Sequence, residues 1–289
     1  MESQENQYRW PKAETVYPDR PGRSYVLKRL RYRLRAFLHR GLIAQFEQFI
    51  NQHPFLVTLL NEHADYSYPL VYRFLDKRFN RKQRFQAICD NLRFLPEKLT
   101  ALSTPIYKTP LSFGVVIPDF EMTLSMTTHQ PMEGYWVLEL WHKPRNELVY
   151  LLTFAKLGES LLISVVQGPN FEGSKEMVKQ LTKTCYGLRP AYLMVETMKA
   201  LTKVLGFNQL LGIPQKYQNK SRFIQSSHYV VDYDAIFAES GGQLKDYWEL
   251  PLEIDRNLDD VPSKKRSMYR KRYAMLDDLA KLIEEKLGL

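Results

Sequence analysis

Cysteine is scarce in this chain: Cys89 and Cys185 are the two in 289 residues, far apart, each inside an apolar helical pattern. That excludes a disulfide framework and a cysteine zinc site, and it predicts two reduced core thiols. No apolar run approaches the roughly 18 residues of a membrane-spanning helix. The start, MESQENQYRWPKAE, has no apolar segment of the kind a cleavable export signal carries, so the expected location is the cytoplasm. The sequence holds no phosphate-binding Walker loop, no G-x-S-x-G and no H-E-x-x-H. Its six histidines, at 39, 53, 63, 129, 142 and 228, are scattered, and their spacing supports no metal site. Internal repeats and low-complexity tracts are absent as well.

What remains is an ordinary globular composition, 44% hydrophobic and 25% charged, with a formal net charge of +9. Such a balance favours an anionic partner: an anionic phospholipid surface, a phosphorylated ligand or a nucleic acid. Nucleic-acid readout is the least expected, because no recognised binding fold or aromatic RNA-binding motif accompanies the charge.

Proline at positions 11, 18 and 21 marks residues 1–22 as a loose arm. From 24 to 50 the apolar residues Leu27, Leu30, Leu34, Phe37, Leu38, Phe46, Phe49 and Ile50 recur at helical spacing, with a break near Gly41. The first half carries Lys28, Arg29, Arg31, Arg33, Arg35 and Arg40 and no acidic residue. Two readings stay open for it, a docked helix with a solvated basic face or a helix lying on an anionic membrane. Further helices fill 55–95; Asn80 with Gln83 forms a capping box, and Pro96 is expected to end the last of them. Residues 23–102 therefore read as a helical subdomain.

Beyond Pro105 the pattern turns to strands, at 113–117, 120–126, 135–141, 148–155 and 161–167, whose short connections imply an antiparallel meander. Residues 161–214 then read as strand, helical crossover and strand. A short helix from Tyr233 to Glu239, a Gly241-Gly242 turn and a last strand complete an α+β core over 103–256. A long helix at 263–287 dominates the final segment, 257–289.

Candidate chemistry gathers in three places. The turn of Gln167, Gly168 and Asn170, and the helix entry at Gly187 and Arg189, can each offer main-chain N–H groups to a phosphate. His228, Tyr233 and Asp234 supply acid/base groups nearby in sequence. Lys264, Lys265, Arg266, Arg270, Lys271 and Arg272 crowd the first turns of the last helix, where the macrodipole disfavours cations; with Arg29 and Arg33 they are the candidate anion or membrane contacts.

A meander, a helix, a strand, a short helix ending in Gly-Gly and a closing strand resembles the element order of GNAT-type acyltransferases. The resemblance implies a mostly antiparallel, GNAT-like sheet with flanking helices. It also implies an acyl-CoA-type donor near Gln167 and a tyrosine acid in the zone of Tyr233 and Tyr247. The Q/R-x-x-G-x-G/A loop of those enzymes is replaced by QGPNFEG. Several further stretches, HPFLVTLL, VVQGPN, LTKTCYGLRPAYLMVETMKAL and PSKKRSMYRKRYAMLDDL, resemble the VirK/YbjX family of Gram-negative bacteria. That resemblance implies a virulence- and envelope-associated accessory factor, linked with resistance to cationic antimicrobial peptides and peripheral to the inner membrane. Whether the chain is also an enzyme stays open at this point.

Overall fold

Capping and turn chemistry set the N-terminal elements. The computed structural model describes residues 7–127, 130–219, 231–259 and 261–288. A short α1 (Ala13–Val16) leads to α2 (Val26–Leu38), α3 (Arg40–Asn51) and α4 (Pro54–Glu62), the last with proline in its first turn, where no donor is wasted. The break between α2 and α3 falls at His39, two residues before Gly41. Next comes α5 (Arg81–Lys98), with Asn80 and Gln83 forming the expected capping box. Pro96 does not end this helix. Its missing N–H costs one intrahelical bond, yet the ladder resumes at once, with the Leu99 N–H donating to the Leu95 carbonyl at 2.8 Å.

The segment expected as a loose arm is pinned from Tyr8 onward. Tyr8 is 1% exposed and donates its hydroxyl to Ser67 at 2.7 Å, while Trp10 stacks on Tyr32 with ring centres 6.0 Å apart. Burying these rings offsets the entropy of ordering a proline-rich strand of chain.

The five strands of the meander are β1 (Leu111–Ile117), β2 (Phe120–Met126), β3 (Trp136–His142), β4 (Glu147–Leu157) and β5 (Ser160–Gln167), each antiparallel to the next. Consecutive burial from Trp136 to Leu140 means that both faces of the sheet are covered. Helices α6 (Ser174–Thr184) and α7 (Pro190–Val204) then cross to β6 (Leu210–Gly212), which pairs parallel to β5. After α8 (Tyr233–Glu239), strands β7 (Gln243–Leu244) and β8 (Trp248–Leu250) close the sheet in the order β1-β2-β3-β4-β5-β6-β8-β7. The long α9 (Ser263–Leu287) lies against α7 and buries Leu276, Leu279, Ile283 and Leu287. The fold is thus α+β, with a mostly antiparallel eight-stranded sheet, flanking helices and a long C-terminal helix, in the element order expected.

Two contacts fix how the layers meet. The Asn91 side chain on α5 donates to the Lys156 carbonyl at 2.8 Å and accepts the Lys156 N–H at 2.7 Å, an amide clasp of helix to β4. On β6, Gly212 lies under the Phe237 ring of α8, and a Cβ there would sit 2.7 Å from the ring. Gly212→Ala is therefore expected to destabilise the protein by about 1–3 kcal/mol, as overpacking does, read as a lowered urea midpoint. An unchanged midpoint would show that Phe237 can move aside.

Candidate functional site

Strands β5 and β6 pair only from Leu161 to Ile163 and from Leu210 to Gly212, with further bonds at the two ends from the Leu161 N–H to the Gln209 carbonyl and from the Ile213 N–H to the Ile163 carbonyl. A register shift against β4 leaves Ser164 unpaired in the ladder, and there the two strands part. In a parallel pair such a parting makes a crevice at the strand ends. Here side chains fill it. Gln218 donates its amide to the Ser164 carbonyl at 3.0 Å and Asn219 donates to the Met132 carbonyl at 2.6 Å. The cavity left among Leu75, Glu133, Ser164, Val165, Gln218 and Asn219 is about 10 Å³. That holds at most one water, far below the few hundred Å³ of a cofactor site.

The residues expected to line a donor site are spread over this region. Gln167 ends β5 with its amide 3.4 Å from the Glu133 carboxylate. Gly168 passes beside the Tyr150 ring, and Asn170 is exposed in the following turn. Gly187, with φ +77°, sits instead against Met268 and Arg272 of α9. Arg189 caps the start of α7 and pairs with Glu239 at 3.4 Å. Of the expected acid/base groups, Tyr233 is a buried core residue. The Asp234 carboxylate accepts the Trp248 indole N–H at 2.7 Å and the Gln215 N–H at 3.0 Å, which holds α8 to β8. His228 lies outside the described residues. Burial, with Asp76 beside it, pushes the Tyr247 hydroxyl up to about 12, against the pull of Arg78. Tyr247 therefore keeps its proton at neutral pH.

The basic start of α9 divides into two sets. Arg272 donates from Nη2 and Nε to the Tyr186 carbonyl, at 2.8 and 3.2 Å, and its guanidinium lies 4.2 Å from the Tyr269 ring centre. Arg266 donates to the Val261 and Asp259 carbonyls and ties down the entry to the helix. Both hold internal carbonyls where an external anion was expected. Lys264, Lys265, Arg270 and Lys271 are exposed.

Helix α2 is mounted inside out. Part of its polar side faces the protein: Tyr32 is buried and donates to the Pro11 carbonyl and Arg29 pairs with Asp19, while the exposed Arg33 pairs with Glu14 at the surface. Arg29 and Arg33, expected as anion contacts, each have a carboxylate of the N-terminal segment as partner, Arg33 in an exposed pair. The Arg29 guanidinium holds the Asp19 carboxyl below the usual range by hydrogen bonding. The apolar side faces out, with Val26, Leu27, Leu30, Leu34, Phe37 and Leu38 each 57–68% exposed. At most one other strongly exposed large apolar side chain sits on any other element among the described residues, Val115 on β1 and Leu244 on β7. A single exposed apolar residue needs no explanation; six on one face of one helix form a contiguous patch of the kind found at contact surfaces. Arg31, exposed, borders the stripe, and the exposed Lys28 stands one step further round the helix with its ammonium 4.8 Å from the Tyr25 ring centre.

Sequence reading did not find a second cationic group, at the elbow between α2 and α3. Arg35 on α2 donates to the Val71 carbonyl at 3.4 Å and stacks over Tyr72 at 4.4 Å. Arg84 on α5, 7% exposed, donates to the adjacent Leu70 carbonyl at 2.9 Å. The His39 ring lies within electrostatic reach of Arg35, Arg81 and Arg84; burial first, then those cations, lowers its pKa, against the pull of the Arg35 carbonyl. The signal that could have found the group is Arg81 and Arg84 in the first turns of a capped helix that has no acidic residue there.

Fold and surface together define an α+β protein with a mostly antiparallel sheet, a filled strand-end crevice and an amphipathic helix whose apolar side faces out. A family model described as protein of unknown function (DUF535) matches residues 21–285, and the chain belongs to this family, the VirK/YbjX family. An uncharacterized protein of Haemophilus influenzae is 80% identical over 98% of this chain and 97% of its own length. The protein named membrane protein LapB of Mannheimia haemolytica is 64% identical over 75% of this chain and 96% of its own. The uncharacterized protein YbjX of Escherichia coli is 25% identical over 89% of this chain and 83% of its own. Among solved structures, a cAMP-binding acyltransferase of Mycobacterium smegmatis superposes with a TM-score of 0.32 at 8% identity, over 68% of this chain. The chain spans 60% of that enzyme's length, and the likeness is too distant to carry its activity across.

Proposed function

We propose that this protein is a membrane-peripheral accessory factor of the Gram-negative envelope, docking on the anionic cytoplasmic surface of the inner membrane through α2. The observation that carries the reading is the outward apolar stripe of α2 with Arg31 at its border and Lys28 one step further round. Burying a leucine fully is worth about 1.5–3 kcal/mol, and each cation near an anionic bilayer adds about 1 kcal/mol. A few such side chains suffice for the roughly 8 kcal/mol of micromolar binding. Pairing of two α2 helices from separate copies is less favoured, because it would bring two acid-free basic helices together. Among the described residues no helix is long and apolar enough to cross a membrane, and α2 at 13 residues suits an in-plane position. The name of the Mannheimia haemolytica relative agrees with the reading. Roles in virulence and in resistance to cationic antimicrobial peptides follow as part of this proposal, through upkeep of the envelope.

The strand order favours a second reading, an acyltransferase-like enzyme using an acyl-CoA-type donor on an envelope precursor or protein. The filled crevice between β5 and β6 weighs against it.

Vesicle flotation tests the first reading. The protein is expected to float with vesicles containing phosphatidylglycerol and to be recovered poorly with phosphatidylcholine alone. Recovery should fall several-fold in about 1 M salt, where the screening length drops to about 3 Å. Equal recovery with both vesicles, insensitive to salt, would remove the electrostatic role.

A further inference from the structure

Arg84 is 7% exposed, the bond that holds its guanidinium is to a neutral carbonyl, and the charges around it are those of Arg35 and Arg81. Burying a charge without a counter-charge is costly, and here like charges are gathered around it. Helices α2 and α5 both pack on the turn Tyr68–Val71, so Arg35 and Arg84 reach neighbouring carbonyls of that one turn. Arg81 stands at the first position of α5, whose positive end adds to the local potential. His39 completes the set. Its Nδ1 must carry the proton it donates to the Arg35 carbonyl at 2.8 Å, which leaves Nε2 as the ring's remaining polar atom. None of these four residues has an ion-pair partner among the described residues.

Position identifies where the missing anion comes from. Arg35 stands three residues before the exposed Leu38, one step along the helix surface, and His39 directly follows Leu38 at the end of α2, so the group borders the apolar stripe at its C-terminal end. With α2 lying in a bilayer interface, lipid headgroups are at the level of this elbow. Guanidinium forks suit a tetrahedral oxyanion, a bound anion favours protonation of His39 at Nε2 so that the ring then donates to it, and several cations without a carboxylate favour a group with more than one negative charge. A phosphate monoester carries about −1.5 to −2 at neutral pH, where a diester carries one charge.

We propose that Arg35, His39, Arg81 and Arg84 form a binding pocket for the phosphomonoester headgroup of a membrane lipid, beside the helix that enters the bilayer. The proposal rests on the membrane reading of α2 and deepens it, from attraction to any anionic surface to recognition of one headgroup chemistry.

The test compares phosphatidylcholine vesicles carrying phosphatidic acid, a monoester, with vesicles carrying phosphatidylglycerol, a diester, at matched surface potential. Wild-type protein is expected to prefer the monoester about tenfold, the gain of one charge-assisted contact. Arg35→Gln combined with Arg81→Gln should bring that ratio to about one, with buried Arg84 left in place to preserve the fold. Lys28→Gln combined with Arg31→Gln should weaken binding to both vesicles and leave the ratio intact. Wild-type binding with no preference would overturn the pocket and leave the membrane reading standing. Absence of binding to either vesicle would end the membrane reading, and the pocket would then be decided by inorganic phosphate, read at the His39 ring proton resonance. A shift in wild type that is lost in the Arg35/Arg81 variant would keep the phosphate chemistry and overturn its lipid source; no shift would overturn both.

Discussion

Replacing Leu30 and Leu34 with glutamate is expected to lower affinity for phosphatidylglycerol vesicles by about a hundredfold or more, while the folded protein keeps its stability. Both side chains are about 60% exposed, so their loss removes little from the core, and surface substitutions of this kind usually shift stability by less than about 0.5 kcal/mol. On a membrane the balance reverses. Two leucines stop contributing about 1.5–3 kcal/mol each, and two carboxylates are pressed against anionic headgroups. Flotation or surface plasmon resonance on vesicles, alongside thermal melts, separates the two effects. A variant that binds as wild type does would remove α2 from the account, and one that unfolds would show that the stripe packs within the protein.

The second large effect is expected at Asn91, which is fully buried. Its amide satisfies the N–H and the carbonyl of Lys156 and also donates to the Ala87 carbonyl of its own helix. The Trp136 indole donates to the Asn91 main-chain carbonyl at 2.9 Å, so the helix and two strands meet at this residue. Asn91→Leu keeps similar bulk and strands a buried peptide group of β4, at a cost of about 1–3 kcal/mol for each orphaned partner. The expected total is about 3–5 kcal/mol, visible as a large fall in the urea midpoint with a single transition. A loss under about 1 kcal/mol would mean that α5 sits on the sheet by apolar contact alone.

Much of this architecture could be read from residue patterns. The five meander strands, the crossover into β6, the short helix from Tyr233 and the long last helix all carry clear local signals, of period two or of helical spacing with caps. Where local signals were weak the reading slipped. Pro96 looked like a helix end because sequence shows the lost donor and not the packing of Leu92 and Leu95, both fully buried, which holds the last turn in place. The orientation of α2 was beyond periodicity altogether. An apolar stripe repeats every three or four residues whether it meets a core or faces outward, and only tertiary placement distinguishes the two. What turns the stripe outward is the pairing of Arg29 and Arg33 with Asp19 and Glu14, together with Tyr32 under Trp10, contacts made to a segment whose prolines suggested looseness.

The same limit applies to the site residues. The turn at Gly187 and the basic helix at Lys271 and Arg272 look like separate anion-binding features in sequence, yet in the fold Arg272 holds the Tyr186 carbonyl and lies over Gly187. One contact thus accounts for two stretches that identified the family. Conversely, Arg84 carries no signal of its own in sequence and His39 is one of six scattered histidines, since a cation in a helix and a lone histidine are ordinary until their neighbours are known.

The central claim is that the outer face of α2 enters the bilayer. Cys89 and Cys185 are both buried, so Leu34→Cys introduces a thiol that can be labelled selectively with an environment-sensitive fluorophore. On binding to phosphatidylglycerol vesicles, the label at position 34 is predicted to shift to the blue and to be quenched by lipids bearing a shallow quencher, about 5–10 Å below the headgroup boundary. The same label on exposed position 286, by Lys286→Cys, should stay aqueous. A label at position 34 that remains aqueous on vesicles would contradict the account.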